Sequence, residues 1–513
     1  MNRKKVIMRN SIIGTVTQVF QMLMSFIIRK IFIRYIGIEY LGINAVLTEI
    51  LEMLSLTEFG VQNAIIFRLY KPLLANDIDV VSEIIFLLRK LYYIIGSVIL
   101  VTGFCLFPFL KYIITNVEVS MSAVYIAYFI LLLSSVLTYY MGYWRTLLYA
   151  DQGQYILSTI DAVVNFVASI LRIGVIVYFK SFYLYIFIVL CKNTISNLIV
   201  TRYTQKKYLG LKSDIVISKE LKRNILKDVK NIFAGKAAGY VYSSTDNLVI
   251  STIIGTVDVG YIGNYKSITT AANTVMTNIF LSMQPMVGNY VASESNEKAY
   301  DFFEKYSFIR FFIACMLLIP LINTIEQFIV WWIGSEYVLN RSIPMLIIID
   351  IYISIVHGST GEFILAKGLF SYERTMGIIG AIVNIFTSII GTFILGLEGV
   401  LLGTVISQII MWAGRSIIVH KYCFAYNNKY FFRYWIKEIQ FFIIFMVECV
   451  FTNKLFFLFN GMGGISVIIN KIILSFILCF IIHFIVWRKT KEYIYFKEWS
   501  FSLIKSVMRK FGI

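Results

Sequence analysis

Apolar stretches of about 20 residues recur along nearly the whole chain, and no other sequence feature restricts its fold as strongly. A helix of about this length crosses the hydrocarbon core of a bilayer, which is about 30 Å thick. Of the 513 residues, 58% are hydrophobic and only 15% are charged, against about 25% charged residues in a typical soluble domain. The sequence therefore predicts an all-α membrane protein with about 14 transmembrane helices, working as a transporter rather than an enzyme.

The predicted spans cover most of the chain and are joined by short loops. They lie near residues 11–35, 41–68, 84–110, 121–148, 155–179, 182–201, 232–256, 264–291, 307–332, 343–366, 375–395, 398–419, 434–452 and 464–487. The second is the least apolar, since it contains Glu49, Glu52 and Glu58. We still predict a span here, because the first and third spans can be connected only if a helix crosses the membrane between them. The first span is too long for a signal-peptide core and no small-residue cleavage site follows it.

The net charge of +18 would suggest nucleic-acid binding in a soluble protein, but the positions of the basic residues indicate topology instead. With the N-terminus in the cytoplasm, all the strongly basic segments fall on the cytoplasmic side, whereas the opposite loops carry only isolated cations. The basic segments are 202–230, 293–306, 367–374, 420–433 and the tail after 487, and the isolated cations are Lys111, Lys180, Arg341 and Lys454. This asymmetry predicts an even number of spans with both termini cytoplasmic in a bacterial inner membrane. It predicts no nucleic-acid partner.

Two pairs of matches at nearly one spacing indicate an internal repeat. Ala162-Val163-Val164-Asn165 matches Ala381-Ile382-Val383-Asn384, and the pair Gly37 and Gly42 matches Gly255 and Gly260. The offset is roughly 218 residues, which corresponds to six spans. Because six is an even number of spans, both halves of the chain enter the membrane from the same side. Such halves are related by an axis along the membrane normal, with a substrate path between them.

The repeat divides the chain into predicted domains. They are a six-helix lobe at 1–201, a basic cytoplasmic linker at 202–230, a second six-helix lobe at 231–420, two extra helices at 434–487 and a tail at 488–513. In the tail, apolar residues recur at helical spacing, at Phe496, Trp499, Leu503, Val507 and Phe511. This pattern predicts an amphipathic helix that lies on the membrane surface as a structural anchor.

Polar and ionisable residues within the predicted spans are the candidates for the substrate path. Asp161, Asn165, Ser169 and Arg172 share one helical face of the fifth span, and the matching face of the eleventh contains Asn384. Buried ionisable residues are costly in a bilayer and usually face a cavity, although small polar residues also serve helix packing. Among the ionisable residues we favour a cavity position for Arg172, Lys236, Asp246 and Glu58.

The charges at membrane depth are mostly positive, which favours an anionic substrate. The first span contains Arg29, Lys30 and Arg34, and further cations are Lys192, Lys236 and Lys266. Arginine and lysine bind phosphate through charge-assisted hydrogen bonds. The alternative for the three cations of the first span is that they extend to the membrane interface.

The cysteines and histidines give no sign of a metal site or a disulfide framework. The six cysteines are isolated, mostly within apolar stretches, and the three histidines are widely separated. Neither a CxxC pair nor a cluster with zinc-ligand spacing is present. We therefore expect no metal, no cofactor and no catalytic residues.

Several short motifs resemble those of polysaccharide repeat-unit flippases. They are Ile33-Arg34-Tyr35-Ile36-Gly37-Ile38-Glu39-Tyr40-Leu41-Gly42, Leu54-Ser55-Leu56-Thr57-Glu58-Phe59-Gly60, Tyr70-Lys71-Pro72-Leu73, Tyr149-Ala150-Asp151-Gln152 and Ser244-Thr245-Asp246-Asn247. These flippases serve O-antigen and capsule synthesis, and they belong to the multidrug/oligosaccharidyl-lipid/polysaccharide exporter superfamily. The resemblance extends over essentially the whole chain, including the span number and the six-plus-six repeat.

The resemblance implies a function in surface polysaccharide assembly. The expected cargo is an undecaprenyl-diphosphate-linked oligosaccharide, moved by alternating access from the cytoplasmic to the outer leaflet, with H⁺ or Na⁺ as coupling ion. Membrane lipid and a polysaccharide polymerase are the expected partners. The expected substrate-binding residues are Arg34, Arg172, Lys236 and Lys266 for the diphosphate and Asn165 and Asn384 for the sugars. Glu58, Asp246 and Asp161 are expected in gating or ion coupling.

Three alternatives remain open at this stage. A multidrug/cation antiporter of the same superfamily predicts an acidic residue in the first span, and the predicted span has none. A lipid II flippase would share the cationic cavity and the mechanism. A membrane enzyme such as a polymerase or ligase usually needs a large extracytoplasmic loop, whereas the predicted outer loops have only about ten residues.

Overall fold

The chain folds into long helices joined by short turns. The computed structural model describes residues 3–55, 61–211, 218–219, 221–223, 225, 229, 244–424, 428–456 and 464–511, and these contain no β-strand. The sixteen long helices of the described residues are α1 (Arg3–Tyr35), α2 (Ile38–Leu54), α3 (Val61–Ala75), α4 (Ile78–Leu106), α5 (Met121–Ala150), α6 (Gln154–Gly174), α7 (Phe182–Lys207), α8 (244–249, continued by a π-helical turn at Ile250–Ile254), α9 (Thr256–Ser293), α10 (Asn296–Trp332), α11 (Ser342–Ala366), α12 (Phe370–Leu395), α13 (Leu397–Cys423), α14 (Asn428–Phe456), α15 (Ile465–Trp487) and α16 (Lys491–Phe511).

Eleven helices of the described part are long and apolar enough to cross a membrane. They are α1, α4 to α7 and α10 to α15, and they coincide with eleven of the predicted spans. The other three predictions, near 41–68, 232–256 and 264–291, fall on α2 with α3, on α8 and on α9. Between α2 and α3 the polar segment 56–60 lies outside the described residues.

The helix contacts divide the chain into unit 1, Met1–Tyr261, and unit 2, Ile262–Ile513. The boundary falls within α9, later than the predicted start of the second lobe at residue 231. Most of the segment 212–243 lies outside the described residues. The predicted division into lobes and linker therefore stays a prediction.

In unit 1, three helices form the framework for the site described below. α5 packs along α4 and α7, and α6 packs along α1 and α7. Leu148, Leu157 and Val200 form a buried apolar cluster in which α5, α6 and α7 meet. Because this cluster fixes the three helices at one end, polar residues further along them are held at constant separation.

Also within unit 1, α2 and the start of α9 cross with their backbones in contact. A Cβ atom on Gly42 would lie 2.1 Å from the carbonyl oxygen of Thr256, and one on Gly260 would lie 2.7 Å from that of Ile38. Only glycine allows such an approach, which is common between membrane helices. Gly42 and Gly260 are the residues matched in the sequence repeat, so the repeat supplies both sides of this crossing.

Unit 2 is built around α10 and a tightly packed hairpin. α10 contacts α11, α14, α15 and α16, and two-thirds of the residues in its most apolar stretch are buried. α12 and α13 form the hairpin, in which Gly391 and Gly399 bring the two backbones together. Unit 2 therefore combines a central buried helix with a pair of helices whose backbones can approach closely only because the residues between them are small.

The tail helix α16 is attached to the rest of unit 2 by ion pairs and aromatic contacts. Lys437 on α14 donates to Glu304 at 2.8 Å and to Glu492 at 2.5 Å. The ring of Phe496 lies 4.3 Å from that of Phe312 on α10. The tail is helical as predicted, and its first two turns pack on α10 and α14 instead of projecting away.

The attachment of α16 should depend on pH through Glu492. Burial pushes the pKa of this carboxyl upward, but the hydrogen bond and charge of Lys437, with a backbone N–H, outweigh burial and hold the pKa below its ordinary value. The stabilisation is therefore present above the ordinary carboxyl pKa of about 4.3 and is lost as the pH falls through the lowered value.

We expect Glu492→Gln to speed hydrogen exchange in the first two turns of α16 at neutral pH. Glu498→Gln, at an exposed position of the same helix, should leave exchange unchanged, and equal exchange in both variants would refute the role of Glu492.

Candidate functional site

A polar cavity of about 480 Å³ lies among α1, α5, α6 and α7 of unit 1. Its charged lining residues are Arg145 on α5, Asp161 on α6 and Lys192 on α7. Uncharged polar residues complete the lining, namely Gln21, Thr138, Asn165, Asn193, Ser196 and Asn197. Two cations therefore face one carboxylate, and amides and hydroxyls surround them.

Arg145 is the centre of the hydrogen-bond network in this cavity. Its guanidinium donates two bonds to Asp161, at 2.8 and 3.0 Å, one to Asn197 at 2.6 Å and one to Ser196 at 2.6 Å. The forked geometry to the carboxylate is specific to arginine. Ser196 also donates to Asp161 at 2.6 Å. The network satisfies the carboxylate of Asp161 and leaves Lys192 as a second cation beside it.

The sequence predicted part of this site. Asp161 and Asn165, one turn apart on α6, both line the cavity, as the helical spacing of the polar stripe suggested. Further along the stripe, Arg172 donates to Ser169 at 3.2 Å and lies over the ring of Tyr185 at 5.8 Å. Arg172 is within electrostatic range of Lys192. The stripe therefore leads from the cavity toward a third cation.

Arg145 was missed by the sequence analysis, although it is the best-connected cavity residue. It lies near the end of an apolar helix, in the segment Tyr143-Trp144-Arg145-Thr146, where a cation close to the interface is expected for topological reasons. Asp161 is 16 residues away on the next helix. The one sequence feature that could have identified Arg145 is the opposite charge of Asp161 on the adjacent span. Such a pair of charges indicates an ion pair but does not indicate a cavity.

The remaining predicted residues of unit 1 lie elsewhere or outside the description. Arg34 is exposed near the end of α1, with its guanidinium 5.9 Å from the ring of Tyr35. Asp246 is buried on α8, and its neighbour Asn247 donates a hydrogen bond to Glu49 on α2. Glu58 and Lys236 lie outside the described residues.

In unit 2, the predicted site residues are Lys266 and Asn384. Lys266 is half-buried on α9. Asn384 is fully buried and donates to the hydroxyl of Thr404 at 3.1 Å, across the α12–α13 hairpin. This contact belongs to helix packing. The roles of both residues in substrate binding stay predictions.

Unit 2 contains a charged network of its own, which the sequence analysis also missed. Arg310 on α10 donates to Glu362 at 3.1 Å and to the carbonyl of Ile355 at 2.5 Å, both on α11. Arg415 on α13 pairs with Glu373 on α12. These charges are paired within the bundle, so they hold helices together and provide no open cation.

Three potential metal ligands meet in the interior of unit 2. The ligand atoms of Cys315, Glu448 and His483 all lie within 4.8 Å of one another, and the three residues are buried. Cysteine, glutamate and histidine are donors that suit zinc. However, Nδ1 of His483 has no hydrogen-bond partner among the described residues, whereas metal-binding imidazoles usually donate through their second nitrogen. The geometry fits a Glu448–His483 pair, hydrogen-bonded between Nε2 of the histidine and Oε2 of the glutamate at 3.4 Å, better than a metal centre.

Comparison with solved structures places the fold among lipid and drug transporters. The fold is similar to that of the lipid II flippase MurJ in an inward closed conformation, with a TM-score of 0.68 and 13% identity over 93% of this chain and 99% of that one. It is also similar to an inward-facing multidrug resistance MATE family transporter of the MOP superfamily, with a TM-score of 0.61 and 15% identity over 77% and 92% of the two chains. The predicted all-α membrane fold class is thereby confirmed.

The sequence comparison gives the family. Among curated proteins, none has significant sequence similarity to this chain. Residues 7–291, more than half of the chain, match the family described as polysaccharide biosynthesis protein. This match identifies the chain as a member of the polysaccharide biosynthesis protein family.

Proposed function

We propose that the protein moves an undecaprenyl-diphosphate-linked oligosaccharide repeat unit from the cytoplasmic to the outer leaflet of the bacterial inner membrane. The observation that carries the proposal is the unit 1 cavity, in which Arg145 and Lys192, with Arg172 beyond them, outnumber the carboxylate of Asp161. Cations bind a diphosphate through charge-assisted hydrogen bonds. The surrounding amides and hydroxyls suit sugar hydroxyl groups, which both donate and accept.

The family and the fold support this cargo. A match to a family described by polysaccharide biosynthesis, together with a fold found in transporters, supports an intermediate of that synthesis as the cargo. The fold is shared with a lipid II flippase, whose cargo is also lipid-linked. In the proposed cycle, unit 1 takes up the head group from the cytoplasmic side while the lipid chain remains in the bilayer.

The nearest competing function is export of cationic drugs, because MATE transporters share the fold. A cationic drug needs an available carboxylate. In the unit 1 cavity, the described lining contains one carboxylate, Asp161, and Arg145 and Ser196 already occupy it. The arrangement therefore favours an anionic cargo.

Depletion of the protein tests the proposal directly. Lipid-linked repeat units should accumulate on the cytoplasmic side, where they are protected from an externally added glycosidase, while surface polysaccharide falls. Rescue of a strain that lacks its lipid II flippase would instead assign the lipid II cargo. A depleted strain that accumulates no lipid-linked oligosaccharide would refute both.

Replacement of Arg172 tests the role of the cations. Arg172→Ala should reduce polysaccharide export at least about tenfold, since a lost ionic hydrogen bond costs about 1.5–3 kcal/mol. Protein abundance should change little, because the side chain is half-buried and its hydrogen bonds among the described residues stay within its own helix. Its contact with the ring of Tyr185 on α7 contributes only about 0.5–1 kcal/mol. Arg172→Lys, which keeps the charge, should retain more export than Arg172→Ala. We expect the same loss for Lys236→Ala, and wild-type export in both alanine variants would remove the assignment.

A further inference from the structure

Unit 2 contains a second polar cavity, of about 280 Å³, at one end of α10, α14 and α15. We call it the Lys471 cavity. Its polar lining includes Asn323, Glu326 and Gln327 on α10, Arg341 just before α11, Lys454 on α14 and Lys471 on α15. In the predicted topology this end of the helices faces the outside of the cell. The volume is close to the lower end of the range for small-ligand pockets, about 300 Å³.

The charge of this lining is unbalanced. Three cations, Arg341, Lys454 and Lys471, face the single carboxylate of Glu326 among the described lining residues. Arg341 is held in place by a hydrogen bond to Asn453, at 2.5 Å. Like charges brought together in this way attract an anion into the space between them.

Lys471 is the residue whose position most needs an explanation. It is only 3% exposed, and within the described part of the chain its ammonium makes neither a hydrogen bond nor an ion pair. The contact that it does make is with the ring of Phe456, 5.7 Å away. Glu326 attracts this ammonium and Arg341 repels it, but among the described residues no carboxylate pairs with it directly. A buried charge without a direct partner is costly, so the presence of this lysine in the lining needs a reason.

Two amide oxygens in the same lining also lack a donor. Oε1 of Gln327 and Oδ1 of Asn323 are buried without a hydrogen-bond partner among the described residues. The orientation of the Asn323 amide is fixed, because its nitrogen donates to Thr452 at 2.8 Å and to Ser475 at 3.3 Å. The cavity therefore presents a buried donor cation together with buried acceptors.

The unit 1 cavity differs, because there Arg145 uses four of its five N–H donors on Asp161, Ser196 and Asn197. Buried polar groups in folded proteins are almost always paired. A ligand that pairs all of them must offer an anion to Lys471 and hydroxyl donors to Asn323 and Gln327.

We propose that the Lys471 cavity binds a phosphate group with hydroxyl-bearing substituents. The ammonium of Lys471 and the guanidinium of Arg341 would take the phosphate oxygens, and the two amide oxygens would accept from the hydroxyls. The head group of phosphatidylglycerol and a sugar phosphate share this chemistry. The proposal does not depend on the flippase assignment, because an ordinary phospholipid supplies the same groups.

The test compares melting temperatures of the full-length protein in detergent micelles. Each sample receives phosphatidylglycerol, the zwitterionic phosphatidylcholine or glucose 1-phosphate. A ligand that binds the folded state raises the melting temperature in a concentration-dependent manner. In Lys471→Met, the concentration needed for the same rise should be at least about tenfold higher. The variant without ligand should melt no lower than wild type, since an unpaired buried charge is replaced by an apolar side chain of similar size.

The control is Lys111→Met, which removes an exposed lysine predicted to lie on the same side of the membrane. It should respond like wild type. A response to phosphatidylglycerol alone identifies a lipid as the source, a response to glucose 1-phosphate alone identifies a sugar phosphate, and a response to both supports the shared chemistry. Stabilisation by neither, or equal stabilisation of wild type and Lys471→Met, would overturn the proposal. If Lys471→Met does not fold, Gln327→Leu should show a reduced response to the same ligands.

Discussion

Replacing Arg145 by Gln should reduce polysaccharide export at least about tenfold and lower the thermal stability of the protein. The guanidinium makes four hydrogen bonds, two of them to the carboxylate of Asp161. Without it, the carboxylate remains in the cavity with only Ser196 and the nearby Lys192 to compensate it. Breaking a buried ion pair costs about 3–5 kcal/mol. Here we expect about 3 kcal/mol, because the two side chains are 25% and 34% exposed and solvent screens the remaining charge.

A double variant separates structure from transport. In Arg145→Gln with Asp161→Asn, neither partner of the ion pair is left charged without the other, and Lys192, which is half-buried at the open cavity, is the cation that remains. Abundance and melting temperature should therefore recover toward wild type. Export should remain low, because the cation that we assign to the diphosphate is absent. Recovery of export together with stability would mean that the Arg145–Asp161 pair serves the fold alone. Lys207→Gln, in an exposed pair with Asp151, should change neither quantity measurably, since such pairs contribute about 0–1 kcal/mol.

Replacing Gly399 by Ala should prevent the accumulation of folded protein. The new Cβ would lie 1.9 Å from the carbonyl oxygen of Gly391 and 2.1 Å from its carbonyl carbon. Both atoms belong to the backbone of α12, so no change of side-chain rotamer relieves the overlap and the two helices have to separate. Overpacking of this kind costs about 1–3 kcal/mol, and more when backbone has to move. The measurement is the melting temperature of the purified protein, or its abundance in the membrane when purification fails.

The matched control is Gly288→Ala on α9, another helical glycine, where the added Cβ would have no atom of the described residues within 4 Å. Alanine is a better helix former than glycine by about 0.5–1 kcal/mol, so this variant should be neutral or slightly stabilised. If Gly399→Ala melted like Gly288→Ala, the close approach of α12 and α13 would not contribute to stability.

The internal repeat predicts which residues correspond in the two halves, but it does not predict their surroundings. The sequence match between Asn165 and Asn384 is real, but the two amides have different surroundings. Asn165 lines the unit 1 cavity, whereas Asn384 is bonded to Thr404 within the α12–α13 hairpin. The difference arises from the neighbouring helices, because glycines close the hairpin in unit 2 and Lys192 and Asn193 line an open space in unit 1. A match on one helix carries no information about the helix opposite.

The same limit explains which charged residues were missed. Arg145, Arg310 and Lys471 each looked like an isolated cation in an apolar segment. The significance of the two arginines depends on partners 16 and 52 residues away. That of Lys471 depends on the absence of a direct hydrogen bond or ion pair among the described residues. Pairing across helices depends on their rotation and crossing, which local sequence does not specify.

The sequence by itself determined that the chain is helical and crosses a membrane, because both properties depend on local runs of apolar residues and on the cost of leaving backbone groups unbonded in lipid. It also matched Gly42 with Gly260 as members of a repeat, whereas their contact at a helix crossing came from the tertiary structure. Only the tertiary structure decided that Arg145 pairs with Asp161 while Lys471 makes no direct ion pair among the described residues. The physical reason is that the cost of a buried charge depends on what lies within a few ångströms, and those neighbours come from distant parts of the chain.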